Sequence, residues 1–339
     1  MTVKFQNQKL LTHRTRPDSF KYPLGLNSGG PDVNSFVNAI GTPAFTASPA
    51  ANKVIPGANG NVVIQMTTSG SFTLEDGVGD QTGSMLIVAG GGGSQPNAGG
   101  PGHTPGAGAG GLKYITGLNF TQGTTYPAVV GGGGAVSGGG QDSSITIDST
   151  PYSVTGGGVG GPRTGLAGGP GGSGGGGAPG IPGQGYPGGA GIAPTPGINA
   201  SGATMGGGGA GGSGGPYNGG AARFFNISGE LVGYAGGGGS GNGSEAATIY
   251  HEQQNPQIYN TYGHGNQQFP GNRLAGGGMH SPPGGGGATG GSVNRGGGSG
   301  GCFGGVGQVG QGGGSGVIFI ELDMRDNLVE RNTGPGFGL

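Results

Sequence analysis

Residues 85–94 read MLIVAGGGGS: five residues with the character of a buried β-strand run without a turn into four glycines. Residues 312–322, GGGSGVIFIEL, make the reverse passage from glycine into a strand. A short apolar run bounded by breakers is what a covered strand looks like in sequence. Nearly everything between these two edges is glycine-rich, so the chain reads as a glycine core opened by one strand and closed by another.

The sequence holds 98 glycines in 339 residues, 8% charged residues and a formal net charge of −1. Disordered segments usually carry a high net charge, which this chain lacks. Collagen is excluded by register, because Gly177, Gly180 and Gly183 keep a triplet that is lost at Tyr186. Fixing a residue's backbone costs about 1–2 kcal/mol, and glycine loses roughly 0.5–1 kcal/mol more than alanine. With few side chains to bury, the compensation has to come from the backbone. Extended polyproline II helices without Cβ atoms can lie side by side and bond N–H to C=O between neighbours. At about 1 kcal/mol net per bond, nearly every group must be paired. The expected fold is therefore mainly β and irregular: a dense, hexagonally packed bundle of such helices framed by a small β-sheet, with long loops and little α-helix.

The chain divides into three parts. Residues 1–60 carry Lys4, Lys9, Arg14, Arg16 and Lys21 and no lasting period. They are expected to be an extended attachment arm that takes its order from a partner, with Phe5, Phe20, Tyr22, Phe36 and Phe45 as apolar anchors. Residues 61–323 form the glycine-rich domain, and 324–339 a C-terminal tail. Strands are expected at 61–66, 71–74, 85–89, 112–120, 125–130 and 144–155, with turns at Gln122–Gly123 and Asp148–Ser149. Beyond 156, glycine runs alternate with spacers of irregular length, which argues against a fixed-period solenoid.

Residues 248–274, TIYHEQQNPQIYNTYGHGNQQFPGNRL, differ most from the glycine frame. They present Tyr250, His251, Tyr259, Tyr262, His264, Phe269 and Arg273 among amides. Phe224 and Phe225 in one further spacer, and Met279 and His280 in another, extend the set. Rigid aromatics among amides suit recognition because they offer contact area at low entropic cost. These eleven residues are the candidate receptor-binding positions; the alternative is that they pack on the frame or on a neighbouring subunit.

No catalytic constellation stands out. A phosphate loop is missing, since no lysine follows the glycine runs, and His251-Glu252 lacks the second histidine of a zinc-protease helix. The acids at 75–83 do not follow a calcium-loop pattern. Neither a metal nor a cofactor is expected. Cys302, the single cysteine, reads as a small buried hydrophobe. Basic residues cluster only in the first 21 positions, so nucleic-acid binding is not expected. No run of about 18 apolar residues is present, so neither is membrane insertion. The start of the chain lacks the pattern of a signal peptide.

MLIVAGGGGS, the repeated GGSGGGG runs, YAGGGGSG at 234–241 and the GGGSGVIFIEL ending resemble the glycine-rich domain of tailed-bacteriophage structural proteins. In plan the chain is similar to the receptor-binding adhesins at the tips of T-even-type long tail fibres. The resemblance implies polyglycine II helices packed in a sandwich, with variable aromatic-rich loops touching the host. It also implies a non-enzymatic virion protein of the tail or fibre, made in the host cytoplasm. The expected partners are other virion proteins through the arm and a bacterial surface protein or glycan through the loops, with a homo-oligomer possible. Two rivals are a virion subunit that does not choose the host and a microbial cell-surface or filament protein.

Overall fold

The structure, a computed structural model, describes residues 45–56, 61–75, 79–96, 103–163, 166–190, 205–216, 218–240, 277, 288–302 and 309–323. Among them there are twelve strands and no helix. The strands are β1 Phe45–Ser48, β2 Lys53–Pro56, β3 Val62–Met66, β4 Gly70–Leu74, β5 Gln81–Val88 and β6 Leu112–Phe120. They continue with β7 Thr125–Val129, β8 Ser143–Ile147, β9 Thr150–Val154, β10 Arg223–Phe225, β11 Val232–Tyr234 and β12 Val317–Leu322.

Two five-stranded antiparallel sheets are present, in the orders β1-β4-β7-β8-β9 and β2-β3-β12-β5-β6. Their inner faces share one core. Phe45, Phe72, Leu74, Tyr126, Ile145 and Ile147 from the first sheet meet Ile64, Met66, Met85, Ile87, Phe120, Ile318 and Ile320 from the second. Phe72 stacks on Tyr126 at 4.9 Å, and Phe120 meets both rings at 5.8 and 5.4 Å. The expected small sheet is therefore a sandwich.

The second sheet is buried on both faces, which explains its unbroken apolar strands. In β12, Ile318, Ile320 and Leu322 face the first sheet, while Val317 and Phe319 join a second cluster with Leu86, Val88, Tyr234 and Ile227. The β10–β11 hairpin contributes Tyr234 to this outer cluster, and Phe225 and Val232 pack at its margin. The first sheet alternates buried and exposed residues along β7, as a sheet with one wet face should.

Residues 45–56, assigned from sequence to the arm, belong to this sandwich. β1 pairs with β4 and β2 with β3. Phe45 is 1% exposed in the shared core, so its ring is already occupied and does not anchor a partner. The reason is alternation: FTAS has one strongly apolar residue, and pairing with β4 turns it inward. Phe5, Phe20, Tyr22 and Phe36 lie outside the described residues.

Local turns follow their chemistry. The β8–β9 loop is the two residues Asp148 and Ser149, both with positive φ, 47° and 62°, as a hairpin turn matched to strand twist requires. Gly117, at φ 71°, is the extra residue where the β5–β6 register shifts, a bulge that glycine accommodates without strain.

Three excursions leave the same end of the sandwich and return to it. β5 ends at Val88 and β6 begins at Leu112, its ladder partner. Residues 130–142 separate β7 from β8, and 155–316 separate β9 from β12. These excursions hold the glycine segments, which are bonded to one another along the backbone.

Residues 90–94 show the pattern. Gly90 and Gly93 donate to Gln141 and Gly138, Gly91 and Ser94 to Gly314 and Gln311, and Gly92 to Gly108. The carbonyls of Gly90 and Gly93 accept from Gly157 and Gly160, those of Gly91 and Ser94 from Gly134 and Ser137, and that of Gly92 from Ser299. Every third residue returns to the same neighbour, six neighbouring segments surround this one, and all ten bonds measure between 2.8 and 3.0 Å.

Residues 104–111 repeat it. Thr104, Ala107 and Gly110 donate to Cys302, Ser299 and Gly296. Gly106 and Ala109 donate to Met205 and Gly208, while Gly108 and Gly111 donate to Gly158 and Thr155. Their carbonyls accept from Gly92, Ser173, Gly176, Ala89 and Gly238. So close an approach excludes side chains: a Cβ at Gly92 would overlap the Gly158 carbonyl, and one at Gly108 the Ser173 carbonyl.

Ser143 ties the sandwich to the glycine region. Its buried Oγ donates to the Val88 carbonyl of the other sheet and accepts from Gly131 N–H, each at 2.8 Å.

Candidate recognition surface

Of the eleven candidate receptor-binding residues, only Phe224 and Phe225 fall within the described residues. Tyr250, His251, Tyr259, Tyr262, His264, Phe269, Arg273, Met279 and His280 lie outside them.

Phe225 does not stand out as a free anchor. Its ring lies 5.5 Å from Tyr114 and 6.4 Å from Tyr234, and Tyr234 meets Phe319 edge-on at 5.8 Å. The four rings form a ladder that covers the outer face of the second sheet. Burial pushes the Tyr234 hydroxyl up, partly opposed by its hydrogen bond with Ser228 and the charge of Arg295. Phe224 precedes Phe225 on a strand whose side chains alternate, and it is half-buried outside this cluster. The Arg223 guanidinium sits 5.4 Å from the Phe225 ring centroid in cation–π geometry. Tyr114, which donates to Ser84 Oγ at 3.1 Å, was not a candidate from sequence. It stands in an ordinary-looking strand, and only the packing of a distant hairpin gives it aromatic company.

The hydrogen-bond register places the outer ends of the glycine segments. Taking the sandwich as the near end, residues 89, 111, 131, 155 and 316 are near and Ser94, Thr104 and Gly160 are far. The residues level with the far set are Met205 beside Gly106, Gly189 bonded to Gly206, Gly239 bonded to Gly301, Thr289 bonded to Gly300, and Cys302 beside Thr104. Within the glycine region, the chain passes out of the described residues after Pro96, Arg163, Ala190, Pro216, Ser240, Gly277 and Cys302. Pro96, Arg163, Ala190, Ser240 and Cys302 each follow closely on a far-end residue. Re-entry at His103, Met205 and Val309 is at the same end, where the Val309 carbonyl accepts from Cys302 Sγ at 3.3 Å. Ser240, the last described residue before 241–276, is at this end.

Chemistry at this end is sparse among the described residues. No group of three or more His, Cys, Asp or Glu side chains is placed to hold a metal. Burial raises the Cys302 thiol, with Thr104 opposing the shift. No described helix is long and apolar enough to cross a membrane.

No family model matches the chain. No curated protein matches it either.

Proposed function

We propose that the glycine segments are polyglycine II helices in one packed bundle, and that the chain is a bacteriophage adhesin of the tail tip or fibre. The return of every third residue to the same neighbour supports the first part, because three residues per turn is the period of that helix. The observation that carries the second is the place of Ser240, the last described residue before 241–276, at the far end of the glycine segments. A backbone-bonded bundle offers neither apolar area nor side-chain donors, so specificity has to reside in the spacers it holds out. Tyr250, Tyr259, Tyr262 and Phe269 are the proposed anchors, with His251, His264 and Arg273 beside them and Met279 and His280 following. Residues 1–44 are the proposed attachment to other virion proteins; Phe45, which follows them, pairs with Leu74 in the sandwich. The resemblance in glycine runs and strand edges points the same way.

A second reading, a virion subunit that does not select the host, is favoured by the inward packing of Phe225 and Tyr234. Those aromatics cover their own sheet. Replacing residues 241–276 by a short Gly-Ser linker separates the two. The adhesin reading expects lost adsorption to host cells with an unchanged melting temperature. Normal adsorption by the replaced chain contradicts it and leaves the structural subunit.

A further inference from the structure

A cleft of about 400 Å³ opens on the flank of the molecule, where the loop around residues 180–187 faces the start of β10. It lies at the near end of the bundle, since the Gln184 carbonyl accepts from the N–H of Leu112, the first residue of β6. It is therefore away from Ser240 and the other described far-end residues.

The loop is held rigidly. Ile181 N–H donates to Gly171 and Gly172, and Gln184 and Gly185 donate back to the Ile181 carbonyl. Tyr186 donates to Gly209 and accepts from Gly174. Gln184 Oε1 accepts from Thr155 N–H at 2.7 Å, which leaves its Nε2 without a partner among the described residues. Yet Tyr186, whose backbone is bonded on both sides, remains 48% exposed.

Opposite stands Arg223, exposed, with its guanidinium braced over Phe225. No carboxylate pairs with it among the described residues. Ala210 closes the floor. A half-exposed aromatic, a guanidinium stacked on Phe225 and a spare amide donor thus line one cleft. The ring supplies an apolar face, the fork binds a carboxylate in two-point fashion, and the amide donates to a hydroxyl. The volume falls within the ~300–1,000 Å³ of small-molecule sites, too confined for a peptide strand with side chains.

We propose that this cleft binds an acidic saccharide, a sugar ring bearing a carboxylate, with the ring on Tyr186, the carboxylate on Arg223 and a hydroxyl on Gln184 Nε2. The inference does not rest on the adhesin reading, because none of the candidate receptor-binding residues is among those lining the cleft.

Titration of the full chain with methyl β-glucuronide and with the neutral methyl β-glucoside, followed by NMR, tests it. Saturable binding of the glucuronide is expected, about tenfold or more tighter than the glucoside. The same factor should be lost in Arg223→Gln, with Tyr186→Ala weakening both sugars. The melting temperature of each variant should match the parent, since both side chains are exposed. Absence of glucuronide binding, equal affinity for the two sugars, or full binding by Arg223→Gln would each overturn the proposal. Should Tyr186→Ala unfold the chain, Arg223→Gln and the neutral sugar still decide the outcome.

Discussion

Val88 and Leu112 are the last paired residues of the β5–β6 ladder, and their neighbours Ala89 and Gly111 go on bonding, with Ala89 N–H donating to the Gly111 carbonyl at 2.9 Å. The two strands do not end there in a turn. They pass into glycine segments that stay side by side while their remaining N–H and C=O groups turn to further neighbours. A strand can bond only to two flanking partners. Removal of the Cβ atoms lets each segment bond in more directions, which is how a region with almost no apolar side chains meets the entropic cost of order.

Steric exclusion should separate interior from surface glycines. Gly92→Val places branched atoms against the Gly158 carbonyl and should destabilise the chain by at least about 3 kcal/mol. Gly139 has only the Gly157 oxygen near a built Cβ, at 3.4 Å, and its φ lies outside the left-handed region. Gly139→Ala should therefore lie between no change and a gain of about 1 kcal/mol. Denaturant midpoints of the two variants measure the contrast.

Ser143→Ala should show how firmly the sandwich is joined to the glycine segments. It leaves the buried Val88 carbonyl and Gly131 N–H without their partner, at about 1–3 kcal/mol for each orphaned group. A loss below about 1 kcal/mol would mean that water replaces the hydroxyl.

How much of this was legible in the sequence depended on how local each signal was. The strands at 62–66, 70–74, 112–120 and 125–129 and the Asp148–Ser149 turn follow from composition and turn chemistry. The passage from strand to glycine at Val88 and back at Val317 was equally plain. Sheet partnership was not, because β12 pairs with β3 across more than two hundred residues and nothing local encodes that choice. For the same reason a small sheet was expected where two form a sandwich. Phe45 read as an arm anchor because β1 is too short to show alternation. The pairing of glycine segments is likewise silent in a sequence where neighbours are chemically identical. Of the candidate site, Phe225 proved to pack inward against Tyr114 and Tyr234, while the spacer at 248–274 lies outside the described residues.

Burial of two ionisable groups should make stability fall at alkaline pH. Both the Cys302 thiol and the Tyr234 hydroxyl are pushed up by desolvation, so folding favours their protonated forms. That contribution is complete below the unfolded pKa values, about 8.5 for Cys and about 10 for Tyr, and is lost as the pH rises through the higher folded values. Stability should be flat with respect to these two groups from pH 6 to about 8 and should decline above about pH 9. Cys302→Ser and Tyr234→Phe should each reduce the steepness of that decline. Cys302 should also react slowly with a thiol reagent in the native chain.

Phe319→Ala removes a ring that is 1% exposed and packed edge-on against Tyr234. A loss of about 3–5 kcal/mol is expected. Phe225→Ala, at the margin of the same cluster, should cost less. A larger loss at Phe225 than at Phe319 would contradict the assignment of the hairpin as a cover over the second sheet.

The most direct measurement is native-state hydrogen exchange at the amides of residues 90–94 and 106–110. In the bonding described, these N–H groups are buried and paired with carbonyls of neighbouring segments, every third one with the same neighbour. Their protection should match that of the β5 and β12 amides, with opening only by global unfolding. Exchange of these glycine amides at the rate of an unstructured peptide, while β5 and β12 stay protected, would contradict the bundle.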